Sequence, residues 1–568
     1  MKPSFLTLTL LLLMSTISLH AQESKMPTTP DFTKALEALN EGDILTCDSL
    51  LDEEVGKYPK NGYAWLYRGL LYTRFFQSDT ALVFLDHAAR NIPKKDKENL
   101  AMAYYWRAIA KWKFNDDYNA FMADMSTAKK TNPDSADPYM NVGNMLMERG
   151  DYAGAEQEFR QALTKPDASK ADIYQFIGRN QAAQGNHAVA IRYYDQAMEF
   201  NRTDETIYMD RSMAFLNSQD EQRAIDDAVS AFKLEYSRNS FSWMVAMADS
   251  TALRDKVIAR IQEEIHHVGN PTMWNYALSR IYDHADNKPE SLRYLLRTSK
   301  TNDTPLYHQI ADLFAGVAVY DQAADYYYRA YRQALTDSAE QSRIDHLFGS
   351  YIAYTFSKGD PQKAIELTKE KMATQEELDQ TLLNNLMLFQ YYHGDYADAM
   401  ASLEQYRDSF AFTYDDFLFA GKIYRENGLK ERAISEFMDC ATENAIEEDS
   451  STAELALALL GEKERARELY EKRLAEDADV GQQFNSACLM ALLDDKPMAV
   501  NILRQMFENG FRNFYRVERN EDLRSLKGYG DYEALLKEYK NKFEQERKAL
   551  LAVLEEETYE APIQLVGE

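Results

Sequence analysis

Cysteine is nearly absent: Cys47, Cys440 and Cys488 are the whole complement in 568 residues. Three thiols cannot build the framework of a disulfide-stapled domain. A Cys440–Cys488 bridge is formally open, but the repeat register below separates the two by more than one repeat, so unpaired core thiols are expected. Proline and glycine are also scarce, at 14 and 22, which argues against a sheet-and-turn protein of this length. Basic charge is in deficit, with 64 Lys and Arg against 92 Asp and Glu and a net charge of −28. Such a chain repels nucleic acid and anionic lipid unless it carries a local basic patch. The best candidate, Arg512 to Lys548, mixes its cations almost evenly with Glu and Asp and reads as a solvated helix surface. Past the N-terminus, no apolar run approaches the roughly 20 residues that span a bilayer.

The N-terminus itself is different. Met1-Lys2 gives a basic start, Phe5 to Leu19 an apolar run, and Ala21 a small residue at a cut, the pattern of a signal peptide over 1–21. The expectation is an exported, periplasmic protein. With no Cys at the cut, a lipid anchor is not expected, and any membrane association would run through a partner.

What the chain has in quantity is helix-compatible sequence and tyrosine, 37 residues of it. It is too long for a single hydrophobic core, so several domains or a repeat array are expected. One pattern recurs along most of it. Tyr139, Val142, Gly143 and Leu146 are followed by Gly150, then Ala155, Phe159 and Ala162. Tyr174, Gly178, Gly185, Ala190, Tyr194 and Ala197 repeat the spacing, as do Phe417, Gly421, Tyr424, Gly428, Ala433, Phe437 and Cys440. Small residues fall where paired helices would approach closely, a Gly closes each inter-helix turn, and Pro59, Pro93 and Pro133 stand where second helices would stop. Weaker copies begin at Trp65, Tyr105, Tyr208 and Tyr307, and continue through Gly359 with Ala364, Gly394 with Ala399, and Gly461 with Ala466. In the runs Tyr193-Tyr194 and Tyr326-Tyr327-Tyr328, one ring each is expected in the core.

This spacing, with a period of about 34 residues, resembles the tetratricopeptide-repeat (TPR) family. The resemblance implies an all-α TPR solenoid, a superhelix of about 13–14 helix-turn-helix repeats whose first helices line a concave groove. The array is expected over 22–236 and 271–508, with 237–270 a divergent repeat or bend. Residues 509–540 look like the closing unit of many bacterial TPR arrays, and 541–568 like a charged helix and loose tail.

A search for chemistry returns little. There is no phosphate-binding G-x-x-x-x-G-K-[ST] loop, no G-x-S-x-G elbow and no C-x-x-C pair. His266 and His267 are adjacent, so their side chains point about 100° apart on a helix and make a poor metal pair. No cofactor and no metal are expected. The register places Met140, Asn144 and Met147, then Gln175 and Arg179, then Met209 and Met213, on the groove face. Their methionines would offer an adaptable apolar strip to a peptide or helix. Leu418, Lys422 and Arg425 form a second, more basic patch suited to an acidic segment. The functional expectation is a non-enzymatic scaffold of the bacterial envelope that binds protein or peptide partners. Two other readings stay open: a glycan or small-ligand binder using surface aromatics, and an enzyme with an unrecognised site in Ser237–Gly269.

Overall fold

The computed structural model describes residues 26–27, 29–302, 305–375, 377–448, 450–476 and 483–559. The expected signal peptide and the last nine residues lie outside them. No strand occurs among the described residues. The chain divides into two compact units, up to Met244 and from Val245 on, and the division falls inside the helix Arg238–Met247.

The first unit pairs Pro30–Glu41 with Ile44–Lys57, Gly62–Arg74 with Thr80–Asn91, and Lys97–Asn115 with Tyr118–Thr131. It continues with Asp137–Glu148 and Tyr152–Ala162, Lys170–Ala183 and His187–Phe200, and Glu205–Asn217 and Glu221–Glu235. The second unit pairs Thr272–His284 with Lys288–Thr301, Tyr307–Gly316 with Tyr320–Thr336, Gln341–Ser357 with Pro361–Ala373, and Gln380–His393 with Tyr396–Ser409. Tyr414–Glu426 with Lys430–Cys440, Ser450–Leu460 with Lys463–Glu476, and Phe484–Leu492 with Lys496–Glu508 complete its hairpins. A closing segment follows: the helix Phe514–Arg519, the 3-10 turn Glu521–Leu526, and the long helix Gly530–Tyr559. The hairpins follow one another as the all-α helix-turn-helix array that the spacing implies.

The close approach within each hairpin is sharper than the spacing implied. A Cβ on Gly143 would lie 2.5 Å from the Phe159 ring, one on Gly178 2.5 Å from Tyr194, and one on Gly421 2.4 Å from Phe437. The bare Cα of the first helix therefore faces the aromatic ring of the second, rather than the small residues Ala155, Ala190 and Ala433. Those alanines are themselves buried, at 0–3% exposure. Phe159 also stacks on Phe176 of the next hairpin, 5.8 Å between centroids, so one ring joins two repeats. Tyr326 and Tyr327 are both buried while Tyr328 is exposed. The triple run thus supplies two core rings instead of one, because a helix turning 100° per residue can bury adjacent positions when it is covered on two sides.

The turns share one backbone device. Gly150, Gly185 and Gly428 sit at φ of +82°, +80° and +78°, the left-handed region that ends a helix and favours glycine. Where glycine is lacking the conformation persists, as at Gln219 (φ 63°) and Ala318 (φ 59°). The next residue is commonly an Asx that caps the second helix: Asp151 accepts from the Gly154 N–H, Asp220 from Arg223 and Asn287 from Glu290. In the first unit, arginines of first helices tie neighbouring second helices together. Arg107 reaches Asp86 and Asp124, and Arg211 reaches Asp195 and Asp227, at 2.6–2.8 Å. The Cys pairing left open does not form: Cys47, Cys440 and Cys488 are buried outside any disulfide, and the Cys440 thiol donates to the Tyr414 carbonyl.

Gly143→Ala should lower stability by about 1–3 kcal/mol, because the Phe159 ring must move. Gln219→Gly, by relieving a left-handed non-glycine residue, should raise it by about 1 kcal/mol; denaturant titration reads both. Burial pushes the Asp124 carboxyl up, but Arg107 and Lys111 outweigh it and hold the group below the usual carboxylate range. A lowered folded pKa gives stability that is present above the unfolded value of about 3.9 and is lost as pH falls through the folded one. The acid limb of the stability curve, below about pH 4, should therefore flatten in Asp124→Asn.

Candidate functional site

In the second unit the first helices Gln380–His393, Tyr414–Glu426, Ser450–Leu460 and Phe484–Leu492 line one cavity, to which Arg516, Asn520 and Asp522 of Phe514–Leu526 also contribute. Its volume is about 310 Å³. The apolar wall is Leu388, Tyr391, Leu418, Phe419, Leu455 and Phe484, residues at helical spacing on the inward faces of their helices.

The polar lining is mostly compensated from within. Lys422 Nζ lies 2.6 Å from Asp522 Oδ2, and the Arg425 guanidinium 3.6 Å from Asp522 Oδ1. Burial would lower the Lys422 ammonium, yet the adjacent Asp522 carboxylate outweighs it and raises it. Thr452 donates to Asp415, and Asp416 serves the capping box of its own helix with Thr413. Asn520 accepts from the Asp522 N–H and donates to the Tyr392 hydroxyl. The Cys488 thiol, 2% exposed, is pushed up by burial and stays protonated, so it is a poor nucleophile here. Arg516 differs. It makes no ion pair among the described residues, and its guanidinium carbon lies 4.6 Å from the Phe484 ring centroid at the cavity wall.

The structure brings part of the expected second patch to this cavity. Leu418 and Lys422 line it, while Arg425 stands behind them, bonded to Glu426 at 3.0 Å. The basic character expected there is neutralised by Asp522, which arrives about 100 residues later in the chain. Among the described lining residues the cation without an ion pair is Arg516, on the closing segment, which no repeat spacing marks. In the first unit, Met140 is buried against Phe159 and Phe176 as core, and Met147 packs half-buried on the same cluster. Asn144 is half-buried, with an Oδ1 that has no hydrogen bond. Gln175 is 4% exposed and donates to Thr206 and Asp210, while Arg179 Nε lies 2.6 Å from Asp210. These two residues staple neighbouring repeats. Met209 is half-buried, and Met213, at 40% exposure, is the most open of the expected strip.

The other readings find little geometry. Tyr193, Tyr174 and Phe200 form a stack with centroids 6.4 and 6.0 Å apart, and Lys170 lies over Phe200 at 5.3 Å. The stack covers both faces of Tyr174, while Phe200 stays 54% exposed. His266 and His267 are exposed just past the helix Thr251–Ile265. Among the described residues, no group of three or more His, Cys, Asp or Glu side chains could hold a metal ion. Nor is any helix among them long and apolar enough to cross a membrane.

A scan of protein-family models and a search of curated proteins find no match to this chain. Among solved structures, the C-terminal part of a TPR repeat-containing protein from Cytophaga hutchinsonii is similar at 10% identity and TM-score 0.32, over 50% of this chain and 98% of its own. PilF of Pseudomonas aeruginosa is similar at 14% identity and TM-score 0.28, over 42% and 90%. YrrB, described as a TPR protein with an unusual peptide-binding site, is similar at 13% identity and TM-score 0.26, over 34% and 94%. Scores this low carry no functional argument, and what the chain binds has to come from its own side chains.

Removing one partner of the buried Lys422–Asp522 pair strands the other charge, at a typical cost of about 3–5 kcal/mol. Asp522→Ala should therefore destabilise the second unit strongly, and Lys422→Met with Asp522→Leu much less. Denaturant titration of the single and double variants measures the difference.

Proposed function

We propose that this array of TPR-type hairpins is a non-enzymatic scaffold that binds segments of other proteins in the bacterial cell envelope. The observation that supports this best is the cavity of the second unit. It offers an apolar wall for a partner's side chain, and its lining charges are already compensated except for Arg516. An Arg guanidinium lying beside a ring is preorganised for bidentate contact with a carboxylate, so a segment with a bulky apolar residue next to an acidic one suits the site. Burial holds the Cys488 thiol protonated, which disfavours it as a nucleophile. The envelope location rests on the signal-peptide pattern of residues 1–21, and export would place the scaffold in the periplasm.

In the first unit, Met209 and Met213 remain a candidate contact strip with Met147 at its edge, whereas Met140, Gln175 and Arg179 act as its support.

Recovery of envelope proteins on the immobilised mature chain tests the reading. Phe484→Ala and Arg516→Glu should each cut recovery of the same proteins about tenfold, which corresponds to about 1.4 kcal/mol, with helical content unchanged. Undiminished recovery by both variants would remove the cavity from the binding surface. Fractionation of cells expressing the full chain should find it in the periplasm, and deletion of residues 2–21 should retain it in the cytoplasm.

A further inference from the structure

The lining of the second-unit cavity changes character with depth, and the helix register sets the order. Asn384 and Asp415, in the opening turns of Gln380–His393 and Tyr414–Glu426, are exposed, as is Arg516, so these residues mark the mouth. One turn farther along the first helices, Leu388, Leu418, Phe419 and Leu455 make an apolar belt. Another turn on, Tyr391 and Lys422 meet Cys488 and Asp522 at the floor, where Tyr391, Cys488 and Asp522 are only 2–5% exposed. The cavity is therefore polar at its mouth, apolar midway and polar again at its floor.

Two polar groups of that floor lack partners. The Tyr391 hydroxyl makes no hydrogen bond among the described residues, and Asp522 Oδ1 makes none either, while Lys422 holds the other Asp522 oxygen. Burial first, and the Asp522 charge second, push the Tyr391 phenol up, so it stays a protonated donor. Its ring is fixed by edge contacts with Tyr392, Tyr396 and Phe419, whose centroids lie 5.3–5.7 Å away. Buried polar groups are ordinarily paired, so an unpaired hydroxyl held in place on a cavity floor points to an occupant that pairs it.

Such an occupant needs an apolar body for the belt and a polar tip for the floor. An aliphatic side chain or a phenylalanine would cover the Tyr391 hydroxyl, exclude water from it and leave it unmet, at a desolvation cost. A lysine or arginine would bring a second cation beside Lys422. A tyrosine has both parts: its ring suits the aromatic wall of Phe419 and Phe484, and its hydroxyl can both donate and accept. At the mouth, Arg516 lies beside the Phe484 ring without an ion pair among the described residues, placed for a carboxylate next to the entering residue.

We propose that the cavity is a tyrosine pocket: it takes a tyrosine side chain of the partner, hydroxyl against Tyr391, with a neighbouring carboxylate on Arg516. This rests on the cavity being the partner-binding surface, as argued above, and adds which residue enters it.

The test uses the mature chain and short fluorescein-labelled peptides of Gly and Ser around a central Glu-Tyr pair, followed by anisotropy. The wild type should bind the Tyr peptide about tenfold more tightly than a counterpart with Phe in its place. Tyr391→Phe removes a hydroxyl that holds nothing in the fold; it should bring the two peptides level by weakening the Tyr peptide alone. Arg516→Glu should weaken the Glu-Tyr peptide more than one with Gln in place of Glu. Equal affinity of the wild type for the Tyr and Phe peptides overturns the proposal, and so does a Tyr391→Phe variant that keeps the preference. If Phe484→Ala still weakens both peptides in that case, the cavity stands as a binding surface and the tyrosine specificity alone falls. Failure of the Tyr peptide to bind overturns the proposal too; recovery of envelope proteins that still depends on Phe484 and Arg516 would then leave the cavity reading intact, and recovery independent of both would remove it as well.

Discussion

The fold depends on one contact: the aromatic ring of a second helix resting on the bare Cα of a first. At Gly143, Gly178 and Gly421 the space that a methyl group would need is already filled by Phe159, Tyr194 and Phe437. This lets the hairpin close tightly, and the ring's other face is free to meet the next hairpin, as Phe159 meets Phe176. Intra-hairpin packing and inter-repeat packing thus share a side chain, which is how short helices, marginal alone, become a stable array.

Polar side chains follow the same logic of neighbour-to-neighbour coupling. Arg107 and Arg211 each bridge a preceding second helix to their own. Gln175 and Arg179 converge on Asp210 in the next repeat. In the second unit the closing segment applies the principle across a longer stretch of chain, bringing Asp522 to Lys422. These pairs neutralise the charges they join, which makes Arg516, without an ion pair among the described residues, informative about partners.

The residues with the strongest periodic signal prove to be structural, and those best placed to bind are set by aperiodic segments. Met140 and Gln175 occupy first-helix positions that the register assigns to the groove, yet both are buried. Adjacent repeats close over those positions, so a first-helix residue can satisfy the groove register and still lie between helices. Leu418 and Lys422 do reach the cavity, but the charge of Lys422 is cancelled by a residue about 100 positions away.

From sequence alone, the hairpin class, the turn positions and the helix ends follow, because each is fixed by interactions within about 34 residues: glycine at a close approach, a left-handed residue at a turn, an Asx cap after it. Gln219 and Ala318 show that the turn geometry persists without glycine, so its regularity exceeds what the letters display. Only the tertiary structure decided which first-helix residues stay open, that Asp522 neutralises Lys422, and that the charged C-terminal helix folds back onto Lys288–Thr301. Those contacts join residues about 100 to more than 250 positions apart, and no local period encodes a pairing that exists only once the intervening hairpins have stacked.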